Sequence, residues 1–500
     1  MLKTEEIRQF IEEDALSTKK RFAKIGQRYY ESEHDILQYR IFYYNANGEL
    51  KEDKSRNNAK IPHPFLTELN DQATQYILSV KDGKMIKSDL PELQTELDAY
   101  FNENEDFNAE LSEVLTGGQN KGFEYMYAYK NEEDRLAFQC ADAIGVVEVE
   151  ARFASDKQGH ILYWYVDRID KNGKQVKRIM DWTSETVAYY IQVEDGKISL
   201  DKKEAPNPKP HILYKEEGKE KTLYDSFKYI PFFRFDSNKK QTSSLKPIKP
   251  LIDDYDIMAS ALTNNLVDFD KPIYAVKGFE GDGLEELEQN LKTKKMMGLP
   301  EDSNAGIEVI TVEIPYEARK VKLELDEKNI YRFGMGLNTA GLKDTAATTN
   351  IAIKAMYALL DLKCSKLKIK LKQFLRKIIK VVLDEINDAN GTDYQMKDIY
   401  FNLDEPNIIS NAQENAQIEL TEAQRKQAEI TTLLNLASYL DNETLMQLIC
   451  EQLDVDYDDI KGKLPDPEEA DNELKVAQDT LNGGDAGEQG TEASSTNIPE

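Results

Sequence analysis

One pattern limits the possible folds of this chain more than any other. Residues 334–349 form a Gly/Ala/Thr-rich loop, GMGLNTAGLKDTAATT, which opens directly into a long helical repeat. Apolar residues recur at Ile353, Met356, Leu360, Leu367, Leu371, Phe374, Ile378 and Val382. Those steps of three, four or seven keep them on one helix face. The pattern predicts a helix from about Thr349 to Asn390, roughly 60 Å long at ~1.5 Å per residue. A helix of that length acts as a strut, and a loop held at its end is a mechanical part more than a chemical one.

The chain has 500 residues, room for several cores and two to four domains. Its net charge is −28, which opposes attachment to DNA or to anionic membranes. Cys140, Cys364 and Cys450 are distant from one another and form no CxxC pair, as expected of reduced thiols. The N-terminus is charged from the third residue, so no secretory leader is expected, and no apolar run approaches the ~18 residues of a membrane span.

Residues 1 to about 115 read as mainly helical. HPFLTELNDQATQYIL places Phe65, Leu66, Leu69, Ala73, Tyr76 and Ile77 on one helical face, and a turn is expected at Asn47-Gly48. From about Lys121 to Phe235 the period becomes two, in FEYMYAY, VVEVEARF, ILYWYVDRI, TVAYYIQV and YIPFFRF, which predicts one antiparallel meander with a buried face. The next helix has Leu251, Tyr255, Met258, Leu262 and Leu266 as its apolar stripe, with Pro247 and Pro250 at its entry. Residues 271–315 predict a small α/β excursion with strands at PIYAVKGF, near MMGL and at IEVITVEI, and a helix at LEELEQNLKTKK. Residues 317–333 return to helix, with Ala318, Val321 and Leu325 on one side and Leu323, Ile330 and Phe333 elsewhere, which suggests packing between two neighbours. Two or three short helices follow over 406–462. The segment beyond Pro465 has the composition of a disordered tail.

Motifs for chemistry are missing. His34, His63, His160 and His211 occupy unrelated contexts without HExxH or zinc spacing, and neither GxxxxGK[ST] nor GxSxG occurs. Glycines 334, 336 and 341 miss the spacing of a dinucleotide loop. The sequence therefore predicts no enzyme, no metal and no cofactor. The one positive chemical signal is the run Lys363, Lys366, Lys368, Lys370, Lys372, Arg376, Lys377 and Lys380. It reads as a solvated face, a partner for acidic neighbours in an oligomer, or a contact for phosphates.

The order of these parts resembles the portal (connector) proteins of tailed bacteriophages, specifically the SPP1-type family of siphophages infecting Gram-positive bacteria. The stretches carrying the resemblance are NKGFEYMYAY (120–129), IPFFRF (230–235), LIDDYDIMASALTNNLVDF (251–269), IPYEARKVKLELDEKNIY (314–331) and YALLDLKCSKLKIKL (357–371), together with the helix at 63–78. They cover about residues 25–400. The resemblance implies an α+β fold: a mixed α/β wing body with an antiparallel β meander, two stem helices, a small α/β clip, a long strut helix and a helical crown. It implies a wing at 1–238, a first stem segment at 239–269 and a clip at 270–316. The second stem helix would be 317–333, the tunnel loop 334–349, the long wing helix 350–390, the crown 391–464 and the acidic tail 465–500.

The function implied is a ring of about twelve copies at one capsid vertex, around a channel for double-stranded DNA read without sequence specificity. The partners implied are the terminase large subunit, a head-completion adaptor, and the major capsid and scaffolding proteins, with no membrane. Assembly would occur in the host cytoplasm and the final location would be the virion. The candidate channel-loop residues are Gly336, Asn338, Thr339, Gly341, Lys343 and Thr345. The candidate docking residues of the clip are Lys292, Lys294 and Lys295. Glycines would let the loop follow DNA, and Lys343 would make either a weak moving contact or an ion pair with a neighbour's Asp344. The competing reading is an acidic cytosolic scaffold or adaptor with a helical partner-binding strut.

Overall fold

The computed structural model describes residues 1–54, 56–80, 82–149, 159–194, 196–215, 222–268, 273–277, 306–310, 315–338, 350–403, 412–435, 439–440, 442–453 and 457. They divide into two compact units, one of residues 1–344 and 355–408, the other of 345–354 and 409–500. The fold is mixed α/β.

The first unit opens with α1 (Thr4–Ala15) and α2 (Thr18–Tyr30), where Ser17 caps α2 by accepting from the Lys20 N–H. A hairpin of β1 (Phe42–Tyr44) and β2 (Leu50–Glu52) turns at Gly48, whose φ of 78° suits glycine. Next come α3 (Phe65–Leu78), β3 (Ile86–Lys87), α4 (Pro91–Leu97) and α5 (Glu105–Lys121). The apolar face expected for α3 is buried at Leu66, Leu69, Ala73, Tyr76 and Ile77.

The β region differs from the single meander expected. β4 (Phe123–Lys130) and β5 (Leu136–Ala141) are followed by β6 (Val146–Val149), β7 (His160–Ile169), β8 (Gln175–Trp182), β9 (Thr186–Val193), β10 (Ser199–Leu200), β11 (Lys209–Pro210), β12 (Ile212–Lys215), β13 (Thr222–Asp225) and β14 (Phe232–Asp236). One sheet has the order β14-β4-β5, the other β10-β9-β8-β7-β6 with β11 beside β9, and β12 pairs with β13. The break between the two larger sheets falls at Asp142–Gly145, where the fully buried Lys20 of α2 reaches across. Its ammonium donates to the carbonyls of Ala143, Ile144 and Val146 and pairs with Asp14 at 2.9 Å. A buried cation needs that many oxygens, so the turn is held where it lies.

The remaining elements of the first unit are α6 (Lys249–Asp268), the strand pair β15 (Ile273–Lys277) and β16 (Gly306–Ile310), α7 (Tyr316–Gly334), α8 (Asn350–Asn390) and β17 (Tyr400–Phe401). α8 begins one residue from the expected start, and Leu360, Leu367, Leu371, Phe374, Ile378 and Val382 are all buried in the largest core cluster. The second unit contains α9 (Ala412–Asn435) and α10 (Asn442–Leu453), which pack on each other. At 24 residues α9 is not the short helix expected. The expected helix and strand at 284–298, and the tail after Pro465, lie outside the described residues.

α6 also departs from expectation. Leu266 is exposed, whereas the buried line is Ile252, Asp256 and Ser260. The reason is a polar seam. The extended segment 59–63 runs beside α6, and its alternate backbone N–H groups donate to side chains one helical turn apart. Ala59 donates to Asn264 at 2.7 Å, Ile61 to Ser260 at 3.1 Å and His63 to Asp256 at 3.0 Å. Two residues of strand advance ~6.6 Å and one helical turn ~5.4 Å, so the two rows stay matched over three contacts. Asp256 also accepts from His34 Nδ1 at 2.6 Å and from His63 Nδ1 at 2.8 Å.

This seam sets a graded expectation. Ser260→Ala removes one ordinary hydrogen bond and should lower the unfolding free energy by about 1 kcal/mol. Asp256→Ala strands three donors, two of them on buried or half-buried histidines, and should cost about 3 kcal/mol or more. Urea titrations followed by circular dichroism give both numbers, and equal losses at the two positions would contradict the seam.

Candidate functional site

α6 packs against α7, and both rest on the core formed by Tyr29, Leu66, Leu69, Leu245, Ile248, Ile252, Ile330 and Tyr331. Across the pair, the Lys322 ammonium bridges Asp254 and the buried Asp326. On α7, Ala318, Val321 and Leu325 are exposed while Ile330 is fully buried, so the apolar residues do lie on different sides.

The chain leaves α7 through a tightly defined exit. Met335 takes the left-handed conformation (φ 56°), and the N–H groups of Met335 and Gly336 both donate to Tyr331 O, closing the helix end. Gln72 of α3 then pairs with both backbone groups of Leu337: its Nε2 donates to Leu337 O at 3.0 Å and its Oε1 accepts from Leu337 N at 3.0 Å. Tyr331 donates its hydroxyl to Glu68 at 2.5 Å, and Asn338 Nδ2 donates to Glu327 at 3.1 Å. The glycines here serve close approach. A Cβ at Gly334 would sit 2.6 Å from Leu69 Cδ1, and one at Gly336 only 2.1 Å from Leu69 Cδ2. Leu69 is itself buried in the core and has little freedom to yield.

Of the candidate loop residues, Gly336 is therefore buried against α3 and Asn338 is half-buried. Thr339, Gly341, Lys343 and Thr345 lie outside the described residues, as do Lys292, Lys294 and Lys295 of the clip. Reading Gly336 as a freely moving loop residue missed its partners Leu69 and Gln72, about 265 residues away in sequence, and no local signal marks that contact.

The basic run on α8 does not form one face. Lys368 is buried with its ammonium over the Tyr76 ring, and Lys363 donates to Leu69 O at 3.0 Å. Burial pushes the Lys363 ammonium down from 10.5 to about 8. Lys366, Arg376, Lys377 and Lys380 are exposed.

Comparison with known proteins bears on these parts as a whole. The family model described as "Phage portal protein, SPP1 Gp6-like" matches residues 9–456. The chain belongs to this phage portal protein family. It is 27% identical over 360 residues to the portal protein of Bacillus phage SPP1, covering 70% of this chain and 67% of that protein. It is 28% identical over 414 residues to the portal protein of Clostridium phage phiCD119, covering 77% and 85%. A solved structure titled "Neck of native GTA particle computed with C12 symmetry" is 13% identical, with 77% of this chain and 89% of that chain covered. Its TM-score is 0.38, at which the likeness supports no argument. Portal family membership extends across the helix pair, the loop exit and α8 alike.

In this portal protein the loop exit gives a coupling experiment. Gly336→Ala should destabilise by about 1–3 kcal/mol through overpacking against Leu69. Leu69→Ala opens a cavity and should cost about 2–5 kcal/mol alone. The double variant should lose clearly less than the sum, because the second change makes room for the first. Additive losses in chemical denaturation would contradict the contact.

Lys363 gives a pH test. Between about pH 8 and 10.5 the unfolded chain keeps a proton that folded Lys363 releases, so its contribution to stability rises with pH there. Lys363→Met should therefore be more stable than the parent near pH 7, by about 1 kcal/mol or more, and the advantage should shrink towards pH 10.5. An advantage that stays constant with pH would refute the assignment.

Proposed function

We propose that this chain forms a ring of about twelve copies at one capsid vertex, around a channel through which double-stranded DNA is packaged and later released. Membership in the portal family supports this reading across most of the chain. The observation that carries the channel assignment is the loop exit. Met335 to Asn338 is fastened to α3 and α7, and the residues that follow lead into the 41-residue α8. A loop fixed so firmly at its first residues holds the next ones, Thr339 to Thr345, at a set place while leaving them free to meet a passing duplex. Asn338 through Lys343 and Thr345 are the residues that touch DNA, and Gly336 sets their position. The net charge of −28 keeps the wall from trapping the polyanion, since each neutralised phosphate adds affinity by counterion release.

The excursion carrying β15 and β16 stands between α6 and α7 and serves as the docking surface for the terminase large subunit and later the head-completion adaptor, with Lys292, Lys294 and Lys295 as its cationic contacts. Capsid and scaffolding proteins surround the ring, which assembles in the host cytoplasm. The role is structural and does not include catalysis.

Native mass spectrometry of the purified chain should give a closed ring near twelve subunits. A stable monomer or dimer at micromolar concentration would instead favour an adaptor. Reversing Lys292, Lys294 and Lys295 to Glu should leave ring mass unchanged and lower terminase binding at least tenfold.

A further inference from the structure

The exposed line of α8 is chemically unusual for this chain. Leu359, Leu362, Lys366, Ile369, Arg376, Lys377 and Lys380 follow one another at helical spacing, all exposed, in a protein of net charge −28. Lys366, Lys377 and Lys380 have no ion-pair partner among the described residues. Leu362 and Ile369 are 50% and 59% exposed. Cations alone would suit phosphates, but large apolar residues on the same line gain nothing from a phosphate backbone and suit a protein surface.

A matching surface lies elsewhere in the first unit. A cleft of about 700 Å³ opens between the C-terminal turns of α8, the β4–β5 turn and residues 227–229. Its carboxylates are Glu96, Asp134, Asp384, Glu385 and Asp388, against the cations Lys130 and Arg135. Glu385 is engaged by Tyr100, Lys130 and the Leu136 N–H, and Glu96 by Arg135. Asp384 and Asp388 are exposed and unpaired among the described residues. The buried Tyr229 hydroxyl lines the same cleft without a hydrogen-bond partner. Burial, with Glu385 and Asp384 nearby, pushes this phenol up, so it stays neutral and offers a lone pair to an incoming N–H.

We propose that the exposed basic line of α8 docks into the acidic cleft of a second copy of this chain. The proposal rests on the ring reading above and names the contact that closes it. Two different patches meeting head to tail generate a ring when the rotation closes. Copies that each carry −28 repel one another, and spending the few exposed cations of one copy on the unpaired carboxylates of the next offsets this at the contact. Leu362 and Ile369 are covered in the same step.

Three changes test it, all at exposed positions that leave the core intact. K366E/K377E/K380E and, separately, D384K/D388K should each raise the concentration for half-assembly of rings at least tenfold. Combining them should restore assembly at least in part. Lys377→Cys with Asp388→Cys places thiols ~16 Å apart along one helix at ~1.5 Å per residue, too far to bridge within a copy. A disulfide in the double variant, absent from each single variant, therefore joins neighbours. Normal assembly of both charge variants without crosslinking overturns the contact while the ring reading stands. Intact rings that lose binding to a short DNA duplex assign the face to phosphates and overturn it too. Parent protein that never forms rings removes the ring reading and this contact together.

Discussion

The buried carboxylate of Asp256 is where the first two hundred and sixty residues of this chain are tied to the helix pair. Burial alone would raise its pKa, but hydrogen bonds from His34 and His63 outweigh that and hold it below its usual 3.8. The two oxygens take three donors, the two imidazoles and the His63 backbone N–H. His34 in turn faces Tyr29 O with its other nitrogen at 3.1 Å and stacks on the Tyr29 ring, an arrangement satisfied when both ring nitrogens carry hydrogen. Tyr29 reaches α6 through Asp253, and Lys249 joins Asp35 to Asp253. A buried charge that is paired this fully adds little net stability over an apolar contact, but it is intolerant of any other alignment. Its effect is to set α6 in one register against the segment that leads into α3.

From that register the rest follows mechanically. α3 leaves Pro64 with Leu66 and Leu69 turned to the helix-pair core, and with Ala73, Tyr76 and Ile77 turned to α8. One helix thus supports both the exit of α7 and the start of the buried part of α8. Leu69 and Gln72 hold Gly334 to Leu337, while Ala73 O accepts from the Cys364 thiol and Leu69 O from Lys363. The loop between α7 and α8 is therefore gripped at both sides by α3, which makes it a positioned element instead of a loose tether.

The sequence made the apolar geometry legible and the polar geometry invisible. Periodicity located α3 and α8 because burial of a stripe is a local property, readable every third or fourth residue. It misread α6 because the stripe that turns inward there, Asp256, Ser260 and Asn264, is polar, and hydrophobic counting scores such a row as solvent-facing. Spacing of four was the available signal; its partner, an extended segment two hundred residues earlier, was not. The split of the β region failed for the same reason, since Lys20 lies in α2 and reads as one surface lysine among many until it meets Ala143, Ile144 and Val146. Gly336 was visible as a glycine, but the choice between freedom and close approach depended on Leu69, which only the fold supplies.

The same distinction explains the basic run of α8. Eight cations in eighteen residues look like one electrostatic feature when written in a line. Wrapped on a helix they separate by angle: Lys363 and Lys368 turn toward α3 and meet Leu69 O and the Tyr76 ring, whereas Lys366, Lys377 and Lys380 turn away. The inward pair is held by neutral acceptors and an aromatic face, where a long aliphatic stem is as useful as the charge it carries. Only the outward group remains to act on anything else. In a chain this acidic, a small outward group of cations beside exposed leucine and isoleucine has strong directional meaning. Any second copy approaching from another side meets net repulsion, so the cations select one orientation of approach, and repeating one orientation is what closes a ring.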